Sequence, residues 1–102
     1  MTIYALSSGS GISGVAVIRV SGKKTAEVVK NITGKDLPRP RLATLTKFNK
    51  NGGKELIDEG VIIWFPAPNS YTGEDLAEFH VHGSRAVIKA MHLTISKIKN
   101  CR

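Results

Sequence analysis

Short segments rich in apolar and β-branched residues occur at intervals along this 102-residue chain, and several of them alternate apolar with polar positions. Such segments predict β-strands, because successive side chains of a strand point to opposite faces of a sheet. The predicted strands cover residues 3–6, 15–20, 42–48, 55–65 and 76–81. The sequence Asn51-Gly52-Gly53 is typical of a hairpin turn, and it predicts that the third and fourth strands pair antiparallel.

Two further segments have apolar residues three or four positions apart, which is the spacing of one face of a helix. The first predicted helix runs from Lys23 to Thr33, and Gly34 follows at the position of a C-terminal cap. The second begins after Gly83-Ser84, and its apolar stripe contains Val87, Ile88, Met91, Thr94, Ile95 and Ile98. The resulting order β-β-α-β-β-β-α predicts a single α+β domain over residues 1–102, with a mixed β-sheet and two helices on one face.

The chain is basic, with 15 Lys and Arg residues against 8 Asp and Glu residues and a net charge of +7. A positive charge of this size attracts polyanions such as RNA. The basic residues are scattered, however, and form no compact cluster of the type that marks a nucleic-acid site. A basic RNA-docking module therefore stays open as an alternative function.

No apolar run approaches the roughly 20 residues of a membrane span. The N-terminus also lacks the basic, apolar and small-residue order of a signal peptide. We therefore expect a cytoplasmic protein with no membrane partner. The single cysteine, Cys101, cannot form an internal disulfide, and its place next to the last residue makes burial or a catalytic role unexpected.

A glycine-rich segment at residues 9–14 matches the G-x-G-x-x-G pattern of dinucleotide-binding loops. That mechanism needs a helix N-terminus aimed at the pyrophosphate directly after the glycines. Here the next segment, residues 15–20, predicts a strand instead. The pattern therefore indicates a turn rather than a dinucleotide site.

The segment from Trp64 to Gly83 has the most unusual pattern in the chain. Its first part is a strand that stops at two prolines, which lack a backbone donor, and the Asn, Ser, Thr and Gly residues that follow favour turns. The next strand has an apolar face and a polar face, formed respectively by Ala77, Phe79 and Val81 and by Glu78, His80 and His82. We expect the apolar face to join the core and the polar face to carry chemistry.

Arg19 and Glu78 are the candidate binding residues. Arg19 interrupts an otherwise apolar strand, so we expect an edge position, a structural salt bridge or a clamp for an acceptor-rich ligand. The Glu78 carboxylate can accept two parallel hydrogen bonds, for example from the ring N–H and amino group of a pterin. The alternative for Glu78 is an ordinary exposed glutamate on a strand.

A metal site is the main alternative on the same strand. Glu78, His80 and His82 occupy alternate positions and project to one side. Two imidazoles and a carboxylate suit zinc or iron. A metal-dependent domain therefore stays open at this point.

Three sequence motifs resemble those of a known family: IYAL at residues 3–6, GVAVIRVSG at 14–22 and FPAPNSYTGEDLAEFHVHG at 65–83. In order and spacing they resemble the N-terminal region of the tRNA modification GTPases MnmE, also called TrmE. The resemblance spans nearly the whole chain. It implies a fold similar to folate-binding aminomethyltransferase domains, a homodimer and a site for 5-formyltetrahydrofolate.

The resemblance also implies site residues. Arg19 and Glu78 match the arginine and glutamate with which the family contacts folate. The residues expected to support the site are Tyr71, which should brace the proline-rich turn together with Asn69, and His82 and Gly83 at the strand-to-helix junction. No catalytic residue or metal ligand is implied, because family members commonly have another residue type at the position of His80. Further folate contacts are expected from lysines that follow residue 102.

Other functions implied by the resemblance belong to a longer protein. Full-length members hydrolyse GTP and, with the flavoprotein partner MnmG (GidA), install a carboxymethylaminomethyl-type group on the wobble uridine of tRNA. The phosphate-binding pattern G-x-x-x-x-G-K-[ST] is absent from these 102 residues, so GTP, magnesium and potassium are expected only in a GTPase domain. We expect this chain alone to be non-catalytic. Cys101 is not the family's C-terminal cysteine motif, and the loop at residues 8–14 lacks the prolines usual in the family.

Overall fold

Five strands and two helices follow one another in the computed structural model of the chain, which describes residues 1–7, 14–50 and 52–102. The elements are β1 (Ile3–Leu6), β2 (Val15–Ser21), α1 (Thr25–Thr33), β3 (Thr44–Lys50), β4 (Glu55–Phe65), β5 (Leu76–His82) and α2 (Arg85–Ser96). The predicted α+β class and the order β-β-α-β-β-β-α are confirmed. The predicted hairpin is confirmed as the antiparallel pair β3 and β4, although Asn51 of its turn lies outside the described residues.

The strands form one sheet in the order β1-β2-β5-β4-β3. All four pairs of neighbouring strands are antiparallel, so the sheet is antiparallel rather than mixed. The central strand β5 pairs with β2, which is distant in sequence, and with β4. This register puts Arg19 opposite Glu78 and Val17 opposite His80. Side chains directly opposite one another in an antiparallel pair share a face and lie within contact distance.

Both helices pack on one side of the sheet, which we call the covered face. Its strand residues are buried and apolar: Ala16, Ile18, Val20, Phe48, Ile62, Trp64, Ala77, Phe79 and Val81. The helices add Val28, Val29, Ile32, Met91 and Ile95. At the centre, the rings of Phe48 and Phe79 meet edge to face with centroids 5.3 Å apart. Because burial of one such side chain contributes about 1.5–3 kcal/mol, the covered face supplies the main driving force for folding.

Local sequence sets the helix ends. Gly34 ends α1 in a left-handed conformation with φ of 67°, as predicted. The Ser84 hydroxyl begins α2 by accepting a hydrogen bond from the Val87 N–H over 3.1 Å. α1 begins at Thr25, two residues later than predicted, because the Thr25 hydroxyl donates to the Gly22 carbonyl and keeps the preceding residues in a turn. Neither helix in the described ranges has the length and apolar character of a membrane-spanning segment.

Residues 100–102 lie beside β1. The Thr2 N–H donates to the Asn100 carbonyl and the Arg102 N–H donates to the Thr2 carbonyl, each over 3.0 Å. Thr2 and Cys101 thereby form an isolated parallel bridge. Cys101 is only 8% exposed, and burial raises the pKa of its thiol. The expectation that Cys101 is not buried is therefore wrong, because residues 100–102 pair with the chain at Thr2, just before β1.

Candidate functional site

The side of the sheet opposite the helices, which we call the open face, mixes apolar and charged residues. By strand register it contains Ile3, Ala5, Val15, Val17, Arg19, Leu45, Val61, Ile63, Glu78 and His80. Three of its large apolar side chains are well exposed, namely Ile3, Val15 and Leu45. The alternation predicted for β5 is confirmed, since Phe79 points into the core while Glu78 and His80 are only partly buried.

Arg19, Glu78 and His80 form a hydrogen-bonded cluster at the centre of the open face. The Arg19 Nε donates to Glu78 Oε2 over 3.0 Å, and His80 Nε2 lies 3.0 Å from Glu78 Oε1. The Glu78 side chain is 15% exposed, whereas that of Arg19 is 43% exposed. Both oxygens of the carboxylate are therefore hydrogen-bonded, Oε2 to Arg19 of the neighbouring strand β2 and Oε1 to His80 of its own strand β5.

This cluster keeps Glu78 ionised. Burial alone would raise the pKa of the Glu78 carboxyl, because a charged group is less well solvated there. The hydrogen bonds from His80 and Arg19, together with their charges, outweigh burial and hold that pKa below its ordinary value. Glu78 is thus a carboxylate at neutral pH, with lone pairs that can accept hydrogen bonds.

Tyr71 lies beside the cluster. Its ring centroid is 5.5 Å from the Arg19 Cζ, a cation–π distance, and the residue is 85% exposed. Tyr71 therefore extends over Arg19 and does not brace the proline-rich turn as expected. The turn is held by other bonds: the Ala67 N–H donates to Asp75 Oδ1 over 2.9 Å, and an Arg41 side-chain N–H donates to the Asn69 carbonyl.

His82 has a different partner from His80. Its backbone N–H donates to Asp58 Oδ2 over 2.8 Å, and its Nδ1 lies 2.8 Å from Asp58 Oδ1. The His82 side chain is 73% exposed, so it does not pack at the strand-to-helix junction as expected. Gly83 follows without a positive φ, so the turn there does not depend on the conformational freedom of glycine.

Asp58 is the residue that sequence reasoning missed. The register between β3 and β4 shifts between Phe48 and Asn49, opposite the part of β4 that contains Asp58. The alternation of apolar and polar residues along a strand does not predict such a register shift. Burial alone would raise the pKa of the Asp58 carboxyl, but the hydrogen bonds from His82 outweigh it and lower that pKa.

The geometry gives no support to the metal alternative. Glu78 and His80 bond to each other, and His82 bonds to Asp58. Among residues 1–7, 14–50 and 52–102, no group of three His, Cys, Asp or Glu side chains is arranged to hold a metal ion.

A cavity of about 410 Å³ opens on the open face beside the cluster. Its lining includes Val15, Glu59, Val61, Ile63, His80 and His82. Ile63 is the residue of β4 opposite Glu78, and His80 belongs to both the cavity and the cluster. An apolar wall beside a held carboxylate suits a flat ring with N–H donors at one edge.

Of the glycine-rich motif at residues 9–14, only Gly14 lies within the described residues, so the turn predicted there lies outside them. β2 does begin at Val15, directly after the motif. The helix N-terminus that a dinucleotide site needs is therefore not the element that follows the glycines.

Comparison with known proteins gives a consistent set of relatives. The family model described as the GTP-binding protein TrmE N-terminus matches residues 2–102. A tRNA modification GTPase MnmE of Pelagibacter ubique (strain HTCC1062) is 67% identical over 102 residues, and one of Brucella canis (strain ATCC 23365 / NCTC 10854 / RM-666) is 50% identical over 101 residues. The mitochondrial 5-taurinomethyluridine-[tRNA] synthase subunit GTPB3 of Danio rerio is 48% identical over 101 residues. These matches cover 100%, 99% and 99% of the chain, but only 23%, 22% and 20% of the respective relatives.

Proposed function

The chain belongs to the family defined by the N-terminus of the GTP-binding protein TrmE, and from this premise we propose that it is a module that binds 5-formyltetrahydrofolate and forms a homodimer. The observation that carries the proposal is the ionised Glu78 carboxylate, held at both oxygens beside an apolar cavity. A pterin ring has an N–H and an amino group side by side. The carboxylate can accept a hydrogen bond from each of them.

The open face offers the other features that such a ligand needs. Val61 and Ile63 provide apolar surface for the ring. Arg19 lies on the far side of Glu78 and can donate to an acceptor on the ligand, while Tyr71 above it can stack on a flat group. A hydrogen bond to a charged group contributes about 1.5–3 kcal/mol, so Glu78 is expected to contribute a large part of the affinity.

A second copy of the chain is the partner we propose for the exposed apolar part of the open face. Ile3, Val15 and Leu45 are 58%, 55% and 69% exposed. Apolar residues in such number on one surface favour association, because contact removes them from water. Their position around the cluster means that dimerisation would also enclose the folate.

The wider role follows from the relatives, of which this chain spans less than a quarter. We propose that the chain is part of a GTP-hydrolysing enzyme that modifies the wobble uridine of tRNA together with a flavoprotein. GTP with its magnesium and potassium would then bind to a region other than these 102 residues.

The test is a calorimetric titration of 5-formyltetrahydrofolate into the chain, compared with Glu78→Gln and with Lys47→Gln as the matched control. Gln keeps the shape of Glu but loses the charge and one acceptor, so we expect the affinity to fall at least about tenfold. Lys47 is an exposed residue of β3 outside the cluster, and its variant should bind like the wild type. Light scattering on the same samples measures the oligomeric state.

Two results would contradict the proposal. One is equal affinity in the wild type and Glu78→Gln. The other is a folded wild-type chain that binds no folate. RNA binding that weakens steeply with salt and survives Glu78→Gln would instead favour the RNA-docking alternative, since phosphate contacts release counterions.

A further inference from the structure

We propose that His80 is a positioning residue for the Glu78 carboxylate: by bonding to Oε1 while Arg19 bonds to Oε2, it fixes the orientation in which the carboxylate meets the ligand. This inference rests on the proposed function, because the ligand in question is the folate. It assigns a role to a side chain for which the resemblance implied none.

Arg19 and Glu78 are joined by fewer hydrogen bonds than such a pair can form. Arginine–carboxylate pairs frequently form two parallel hydrogen bonds, because the planar guanidinium matches the two oxygens. Here the pair has one, from Arg19 Nε to Glu78 Oε2, and His80 Nε2 lies at the other oxygen. Across the described parts of the chain, no hydrogen bond joins the terminal guanidinium nitrogens of Arg19 to the protein. They are left for a ligand.

The position of His80 directs it to this carboxylate. It is two residues from Glu78 on the same strand, and its neighbours on the adjacent strands are Val17 of β2 and Val61 of β4. Neither valine side chain can accept a hydrogen bond. The His80 side chain is 29% exposed, so most of its ring is covered. A bond to Glu78 is the interaction that satisfies its Nε2.

The charges around Glu78 make the role measurable. The titratable and charged groups that face Glu78 in the described structure are Arg19 from β2 and His80 from β5, while β4 presents only Ile63 at this register. The hydrogen bond from His80 is the largest influence that lowers the pKa of Glu78. Its removal should raise that pKa. Because the ligand needs the ionised carboxylate, the acid limit of binding should then move to higher pH.

The test compares His80→Leu, which removes the donor, with His80→Gln, whose amide can donate from a similar position. Lys47→Leu is the control for an added leucine on the open face. Two quantities are measured on each chain. The first is the pKa of Glu78 without ligand, from the carboxyl signal in ¹³C NMR, and the second is the dissociation constant for 5-formyltetrahydrofolate as a function of pH.

We expect His80→Leu to raise the Glu78 pKa, to move the acid limit of folate binding to higher pH and to weaken binding, because the carboxylate loses the bond that orients it. His80→Gln should restore much of the affinity, and Lys47→Leu should match the wild type. A folded His80→Leu chain with unchanged Glu78 pKa would overturn the positioning role, whatever its affinity. If the wild type binds no folate but the pKa shifts as expected, the positioning of Glu78 stands and the folate proposal fails.

Discussion

The covered face and the open face alternate residue by residue along the same strands, yet their physical environments differ sharply. On β2, Ile18 is fully buried while the side chain of its neighbour Arg19 is 43% exposed. On β5, Phe79 is fully buried beside Glu78, whose carboxylate bonds to two other side chains. The covered face is continuous apolar packing, whereas the open face places a charged cluster among partly exposed apolar residues. Because the two faces share a backbone but few side-chain contacts, stability and binding should respond to different substitutions.

The strongest test of this separation is Phe79→Ala on the covered face. Removal of a fully buried ring that packs against Phe48 should lower the free energy of unfolding by about 3–5 kcal/mol. Val17→Ala on the open face, where the side chain is only partly buried, should lower it by about 1 kcal/mol or less. Urea-induced unfolding followed by circular dichroism measures both. Equal losses would show that the open face is as tightly packed as the core.

An intermediate effect is expected from Asp58→Asn, at the end of the sheet. The Asp58 carboxylate is 11% exposed and has a lowered pKa in the folded chain, so it stabilises the fold at neutral pH. That contribution is present above the ordinary Asp pKa and is lost as pH falls through the lowered value. We expect Asp58→Asn to lower the unfolding free energy at pH 7 by about 1 kcal/mol, since His82 is largely exposed and the pair is screened.

Urea-induced unfolding of the Asp58→Asn variant and the wild type at pH 7 and at pH 3 checks this. The difference between the two proteins should shrink at the lower pH. A difference that is the same at both pH values would assign the effect of Asp58 to packing and not to its charge.

The smallest effect on stability is expected from Tyr71→Ala. Because Tyr71 is 85% exposed, its loss should change the free energy of unfolding by less than about 0.5 kcal/mol. The same substitution removes the ring next to Arg19, so we expect folate affinity to fall about threefold, as for loss of an exposed cation–π contact. Thermal unfolding and calorimetry on one sample measure both quantities. A clear drop in the melting temperature would contradict the division between the faces.

Sequence alone predicted the covered face well, because burial follows local alternation. Phe79 on β5 and Met91 on α2 both lie in the core, where periodicity placed them. The choice of Arg19 and Glu78 as candidate binding residues also needed only strand alternation and the family resemblance. Their direct bond did not follow, because it depends on the pairing of β2 with β5, two strands that are distant in sequence.

The remaining differences have the same physical origin. The bond between Asp58 and His82 depends on the position of β4 at a register shift. The burial of Cys101 depends on its pairing with Thr2, near the other end of the chain. Each arises where a residue meets a distant part of the chain. Local sequence patterns do not predict such long-range contacts.

The pairing of Arg19 with Glu78 also bears on the fidelity of folding. A slip of β2 by one residue against β5 would turn its side chains over, bring Arg19 beneath the helices and expose Ile18 to water. An unpaired charge in a closed apolar layer is costly enough to reject that arrangement. A slip by two residues would keep the faces but separate the two ions. The residues proposed to recognise the ligand therefore also discriminate between correct and incorrect strand alignments before any ligand is present.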